Sequence, residues 1–259
     1  MSGVMTTKQV LSRARNGHHL VHVYQDDEAL AEIICHYITD QLDPSEAIVI
    51  IATQAHTQAI RSRLLNQGID VAQMESCGQL SILDASELLA RFMVNGKPDE
   101  VLFTEIMKGI LGRLLAVHRS VRAYGEMVDL LWQDQQKEAA VLLEQYWNTL
   151  LKKYSFSLLC AYQLDNLDAA NYSGAIECVC KTHTHFLPAQ DVHQLEKAVA
   201  DASKCVMGVN LSSMYKCIST LVDPSTAMPP SQASLLYLSK TMPGEMNAIL
   251  HQVRSNLKG

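Results

Sequence analysis

Few residues in this chain combine reactive type with telling position, and Glu126 is the clearest. It directly follows a strand-like run, Val121 to Tyr124, that stops at Gly125, and an apolar helix-like run begins behind it. In a parallel α/β sheet, ligands bind outside the carboxyl ends of the strands, which places this acid toward a site. A carboxylate there is costly to desolvate unless a partner or a reaction uses it. Two structural accounts compete with a functional one: an ion pair with Arg122, and a role at a helix N-terminus. A residual hydrolase with Glu126 as base ranks last. No Ser/His/Asp or Cys/His constellation can be assembled from local sequence, so nucleophilic catalysis has no positive support and no catalytic residue is assigned.

The residues just past the other apolar runs are Gln25, Asp26, Asp27, Thr53, His56, Asp84, Ser86, Gln163 and Asp165. Their shared character is acidic. Phosphate binding needs a glycine-rich turn whose N–H groups point inward, usually with a lysine. After the first strand this chain offers Gln25-Asp-Asp-Glu-Ala29, and no GxGxxG occurs anywhere. Carboxylates placed where a triphosphate would lie would repel it. Helix capping is the competing account of Asp26, Asp27 and Asp84, each of which precedes a predicted helix.

Cys178-Val-Cys-Lys-Thr-His-Thr-His185 invites a zinc reading. Ligands two apart need an extended chain, and the residues before them look like the start of a helix. That leaves Cys180 and His183, one helical turn apart, as the metal candidates, and no metal or cofactor is expected. Cys160, inside an apolar run, reads most simply as a small core residue.

The elements that must position these groups follow from periodicity. His18 to Tyr24 alternates as a strand does, and Glu28 to Leu42 carries the apolar spacing of a helix that Asp26 or Asp27 would cap. Ala47 to Ala52 is a continuous apolar run of the kind found in central parallel strands. Thr53 can cap a helix over Gln54 to Gln67, closed by Gly68. Leu80 to Leu83 predicts a strand ending at Asp84, Ala85 to Met93 a helix, and Asn95 to Asp99 a loop. Glu100 to His118 reads as a helix interrupted at Gly109 and Gly112. Gln135 to Tyr154 reads as a helix burying Ala139, Leu142, Leu143, Tyr146, Trp147 and Leu150, and Phe156 to Tyr162 as a strand. The alternation predicts an α/β fold, a mostly parallel central sheet flanked by helices. Beyond it, Val192 to Met207, Leu211 to Val222 and Ser231 to Leu257 predict an α-helical C-terminal extension. The expected domains are an arm over 1–17, the α/β domain over 18–191 and the extension over 192–259.

With 48% hydrophobic residues among 259, the chain can bury a sizeable core. A net charge of −6 argues against a non-specific nucleic-acid binder. No run approaches a membrane span, and seven scattered cysteines suit a reducing compartment. A cytoplasmic protein contacting neither nucleic acid nor membrane is expected.

Several phrases together resemble one family. They are His22-Val-Tyr-Gln-Asp-Asp27, Ala47 to Leu65, Asp84 with Leu89 to Met93, and Gly96-Lys-Pro-Asp99. They continue through Arg122 to Trp132, Leu143 to Asn148, Phe156 to Tyr162 and His183 to Pro188. The chain resembles the MEDS domain, a bacterial and archaeal signalling module, over roughly residues 16 to 190. The resemblance implies a RecA/KaiC-like fold without its phosphate loop, sensing small molecules, with hydrocarbon derivatives as proposed ligands. The family commonly has a Gly-Asn-type turn after the Trp. Gln135-Gln136 stands there instead, which predicts a helical turn. No helix-turn-helix or kinase motif follows Val192.

The leading expectation is therefore a non-catalytic, ligand-sensing regulatory domain. Its pocket would be lined by Tyr24, Asp27, Asp84, Glu126 and Tyr162, with His22 and Cys160 one layer back and the 94–99 loop as a lid. A small apolar ligand and a signalling partner or self-association would be its partners. The alternative is an interaction or oligomerisation module acting through the helical tail, to which Met207, Met214, Met228, Met242 and Met246 lend an adaptable apolar surface.

Overall fold

A computed structural model describes residues 4–172, 174–211 and 226–258. Its first elements are α1 (Thr7–Ser12), β1 (His19–Tyr24), α2 (Asp27–Thr39), β2 (Glu46–Ala52), α3 (Gln54–Asn66) and α4 (Val71–Ser76). Next come β3 (Leu80–Asp84), α5 (Ala85–Ala90), β4 (Met93–Val94), β5 (Lys97–Pro98) and α6 (Glu100–Leu115). They are followed by β6 (Ser120–Gly125), α7 (Met127–Gln133), α8 (Lys137–Leu151) and β7 (Phe156–Gln163). The last are α9 (Ala169–Tyr172), α10 (Ala175–Thr182), β8 (His185–Leu187), α11 (Val192–Met207), α12 (Pro230–Thr241) and α13 (Pro243–Lys258). The strands form a six-stranded parallel sheet in the order β3-β2-β6-β7-β1-β8, flanked by helices, and a two-stranded ribbon, β4-β5. The α/β class expected from the alternation of elements is the class found.

The chain divides into two compact units. One comprises Leu11–Leu20 with Asp26–Gln163 and the other Met1–Val10, Val21–Gln25 and Leu164–Gly259. In the first, β2 pairs in parallel with β3 and β6, and β6 with β7. Ala47 to Ala52, all of β6 and Phe156 to Tyr162 are buried, which is why these strands read as unbroken apolar runs. The register sets Ala52 beside Asp84, Ile51 beside Gly125, and Gly125 beside Cys160. The ends of β2, β3 and β6 thus form one edge. Helices begin there on side-chain caps: Asp26 accepts from Ala29 N, Thr53 from His56 N, and Asp84 from Ser86 N and Glu87 N. On one face Phe103 packs edge-on against Phe92 and Trp147, with ring centroids 5.2 and 5.1 Å away.

Three local expectations are corrected in this unit. α6 runs unbroken through Gly109 and Gly112, because its buried stripe of Phe103, Met107, Ile110 and Leu111 outweighs about 1 kcal/mol per glycine. The 95–99 segment is not a plain loop. Asn95 and Gly96, with φ of 51° and 76°, make the tight turn of the β4-β5 ribbon. The turn after Trp132 is not helical either: Gln135 has φ 61°, the left-handed conformation that a Gly-Asn turn would favour, and α8 starts only at Lys137.

In the second unit, α11 lays Leu195, Ala198, Val199 and Ala202 against α13, which buries Met246, Ile249, Leu250 and Val253. The segment from Leu164 belongs to the same unit as these helices. Met246 is core and Met242 exposed. The helix expected over Leu211 to Val222, with Met214, lies outside the described residues from 212 onward.

Candidate functional site

Glu126 begins α7, yet its side chain makes no capping bond there. Its carboxylate turns instead to the start of α3. Oε1 accepts from the backbone N–H of Thr53, and Oε2 lies 2.6 Å from His56 Nδ1 and accepts from Tyr124 OH at 3.0 Å. The backbone brings this about: Glu126 N donates to Ile51 O, which holds the end of β6 beside the end of β2. The far nitrogen of His56, Nε2, lies 3.5 Å from Asp27 Oδ1. The three side chains form a graded line from interior to solvent, 3% exposed at Glu126, 15% at His56 and 66% at Asp27. The Glu126 hydrogen bond, with both carboxylates' charge, raises the His56 pKa against the opposing effect of burial.

The Arg122 ion pair does not form. The Arg122 guanidinium reaches Glu46 Oε2 at 2.9 Å and the carbonyls of Tyr37, Asp40 and Gln41 at 3.0, 2.6 and 3.1 Å. Arg122 sits beside Ile48 in the ladder, whereas Glu126 lies past the end of β6, so the two serve different parts of the sheet. The helix N-terminal role is real but belongs to α3.

A second cluster lies inside the same unit. Glu144 on α8 is 1% exposed; its Oε1 accepts from Tyr162 OH at 2.7 Å and its Oε2 lies 3.2 Å from His19 Nε2. Cys160 Sγ is 3.7 Å from the same Oε2 and 3.4 Å from His19 Nε2. His19 Nδ1 lies 3.1 Å from Asn148 Oδ1. Burial and the neighbouring Glu144 charge push both the Cys160 thiol and the Tyr162 phenol well above their ordinary pKa values.

The residues singled out from sequence therefore divide. Asp27 and Glu126 meet through His56, which stood among the strand-end residues without a role. Asp84 caps α5 with its carboxylate, on the same strand edge. Tyr162 and Cys160 meet at Glu144 instead. In the other unit, Tyr24 ends β1 and is buried, and His22 Nδ1 lies 3.3 Å from Leu187 O, its pKa lowered by burial to about 4 so that it stays neutral. The chain around Cys178 and Cys180 is helical, and among the described residues no three-donor group includes Cys180. His183 Nδ1 lies 2.7 Å from Val179 O. A cleft of about 350 Å³ opens between the β4-β5 turn at Gly96 and Lys97 and the run Gln135 to Ala139, bounded on one side by the segment expected to act as a lid.

Sequence reasoning missed His19, Glu144 and Asn148. Glu144 carried a signal: it shares the buried stripe of α8 with Ala140, Leu143 and Trp147, an acid at an apolar position. His19 had none beyond its place in a strand that is buried on both faces.

A model of the MEDS family, the MEthanogen/methylotroph, DcmR Sensory domain, matches residues 18–184. The chain belongs to the MEDS family. No curated protein matches it. The MEDS match takes in every member of both clusters and ends before β8, so α11 to α13 lie beyond it. Membership makes this a domain of a sensory family. No described helix is long and apolar enough to cross a membrane.

Proposed function

We propose that this MEDS domain is a non-catalytic regulatory module that senses a small molecule at the strand edge around Glu126, His56, Asp27 and Asp84. One observation carries the reading: the Glu126 carboxylate itself occupies the N–H group at the start of α3 and takes the Tyr124 hydroxyl and His56 as partners. In nucleotide-binding α/β folds such donors serve a phosphate. Here an internal anion answers them, and Asp27 adds negative charge beside it, so a triphosphate is repelled. The RecA/KaiC-like reading is supported by the parallel sheet and by the acidic turn at 25–28 in place of a phosphate loop. A neutral ligand of the hydrocarbon-derived class that the resemblance implies suits this edge better than an anion. A signalling partner in the cytoplasm would receive the response.

A thermal-shift series tests it, with small apolar and halogenated compounds in one arm and ATP with magnesium in the other. A true ligand at a hundred times its Kd adds about 2.7 kcal/mol of stability and raises Tm. Stabilisation by ATP with magnesium overturns the reading.

A second reading, association through the C-terminal helices, is favoured by the exposure of Val206, Val209 and Met242 in that unit. Val206→Asp with Val209→Asp should then shift the sedimentation coefficient toward that of the monomer. An unchanged oligomeric state excludes it.

A further inference from the structure

His19 from β1, Glu144 from α8 and Cys160 from β7 bring three different donor atoms to one point. Nε2, Oε2 and Sγ form a triangle with edges of 3.2 Å (N to O), 3.4 Å (N to S) and 3.7 Å (S to O). A tetrahedral zinc ion, with bonds of about 2.0–2.1 Å to N, 2.0–2.2 Å to O and 2.3 Å to S, sets these same edges at about 3.4, 3.6 and 3.6 Å. All three edges agree to within about 0.2 Å, and the two edges at sulfur are hydrogen bonds when no ion is present.

The groups behind the donors have the form a metal site needs. Asn148 Oδ1, which only accepts, lies 3.1 Å from His19 Nδ1; that puts the ring proton on Nδ1 and turns the Nε2 lone pair toward the triangle. Tyr162 OH holds the outer oxygen of Glu144 at 2.7 Å, leaving Oε2 directed inward. Charge points the same way. The thiolate that metal binding would create at Cys160 joins the sealed Glu144 carboxylate, and a divalent ion neutralises both charges where water cannot.

We propose that His19, Glu144 and Cys160 bind a divalent transition-metal ion of borderline softness, zinc being the best geometric fit. Binding replaces the Cys160 S–H bond by a metal–sulfur bond, and the proton leaves to solvent. Three protein donors account for three corners of the tetrahedron. The ion would tie β1 to β7 and α8, independently of any ligand at the Glu126 edge.

The test uses the full chain, stripped with a chelator and titrated with Co²⁺, then with Zn²⁺. One equivalent of cobalt should produce intense visible bands of tetrahedral geometry and a near-ultraviolet thiolate-to-cobalt band, both abolished by one equivalent of zinc. Cys160→Ser should lose the near-ultraviolet band. Asn148→Ala, which leaves every donor in place, should weaken binding about 10-fold or more. A wild-type chain without the thiolate band overturns the proposal. So does a band that persists in Cys160→Ser, which would assign it to another cysteine. Unchanged affinity in Asn148→Ala overturns it even if Cys160→Ser fails to fold.

Discussion

The unit containing Asp26–Gln163 holds two histidine–carboxylate pairs made of the same groups in different surroundings. At the strand edge, His56 bridges buried Glu126 to exposed Asp27, so one end of the line meets water. In the interior, His19 and Glu144 are both sealed, and their companions are a thiol and a phenol. Only the edge pair can exchange protons and counter-ions with solvent, because one of its members is exposed. Under the proposed reading, the edge pair is the one that responds to a ligand. The sealed one has no such exchange, which suits it to the metal ion proposed above.

Removing the sealed acid should have the largest effect. Glu144→Ala takes a buried partner from the Tyr162 hydroxyl and from His19 and opens a cavity, at a cost of about 3–5 kcal/mol in urea unfolding. Glu126→Gln keeps the volume and loses the charge; it should cost about 2–3 kcal/mol and alter the ligand response more than folding. If the two substitutions cost the same, solvent access does not separate the clusters.

The edge pair should also be visible in the pH dependence of stability. Because the folded pKa of His56 is raised above 6.5, its contribution is complete below about 6.5 and is lost as pH rises through the folded value. The stability gap between wild type and His56→Gln should therefore shrink between pH 6 and 9, and a constant gap would show that His56 does not titrate there. The smallest effects come from double-mutant cycles. Glu126→Gln with His56→Gln should couple by about 1–2 kcal/mol, while Glu126→Gln with Arg122→Met should couple by less than about 0.5 kcal/mol. Strong coupling to Arg122 would restore the ion pair that the geometry rejects.

Legibility followed the range of the interaction. The caps at Asp26, Thr53 and Asp84 bind N–H groups two or three residues away, and each was readable in place. The apolar runs of β2 and β7 were readable for the same reason, since burial on both faces leaves a continuous pattern. Asn95-Gly96 carries an equally local turn signal, since both residues tolerate positive φ. Gln135 carried none, because a left-handed glutamine is held by the elements on either side of it.

The amino-acid sequence by itself determined the types of the longer elements, most of the caps, the missing phosphate loop and the MEDS resemblance. All of these rest on patterns a few residues long. The tertiary structure alone decided which partners Glu126, His19 and Cys160 received. Glu126 and His56 are seventy residues apart, and His19 and Cys160 one hundred and forty-one. Such pairs form only because parallel pairing sets particular strand ends and helix faces together, and strand order is not written in any local pattern. For Glu126, that order exchanged the nearby arginine for a distant histidine.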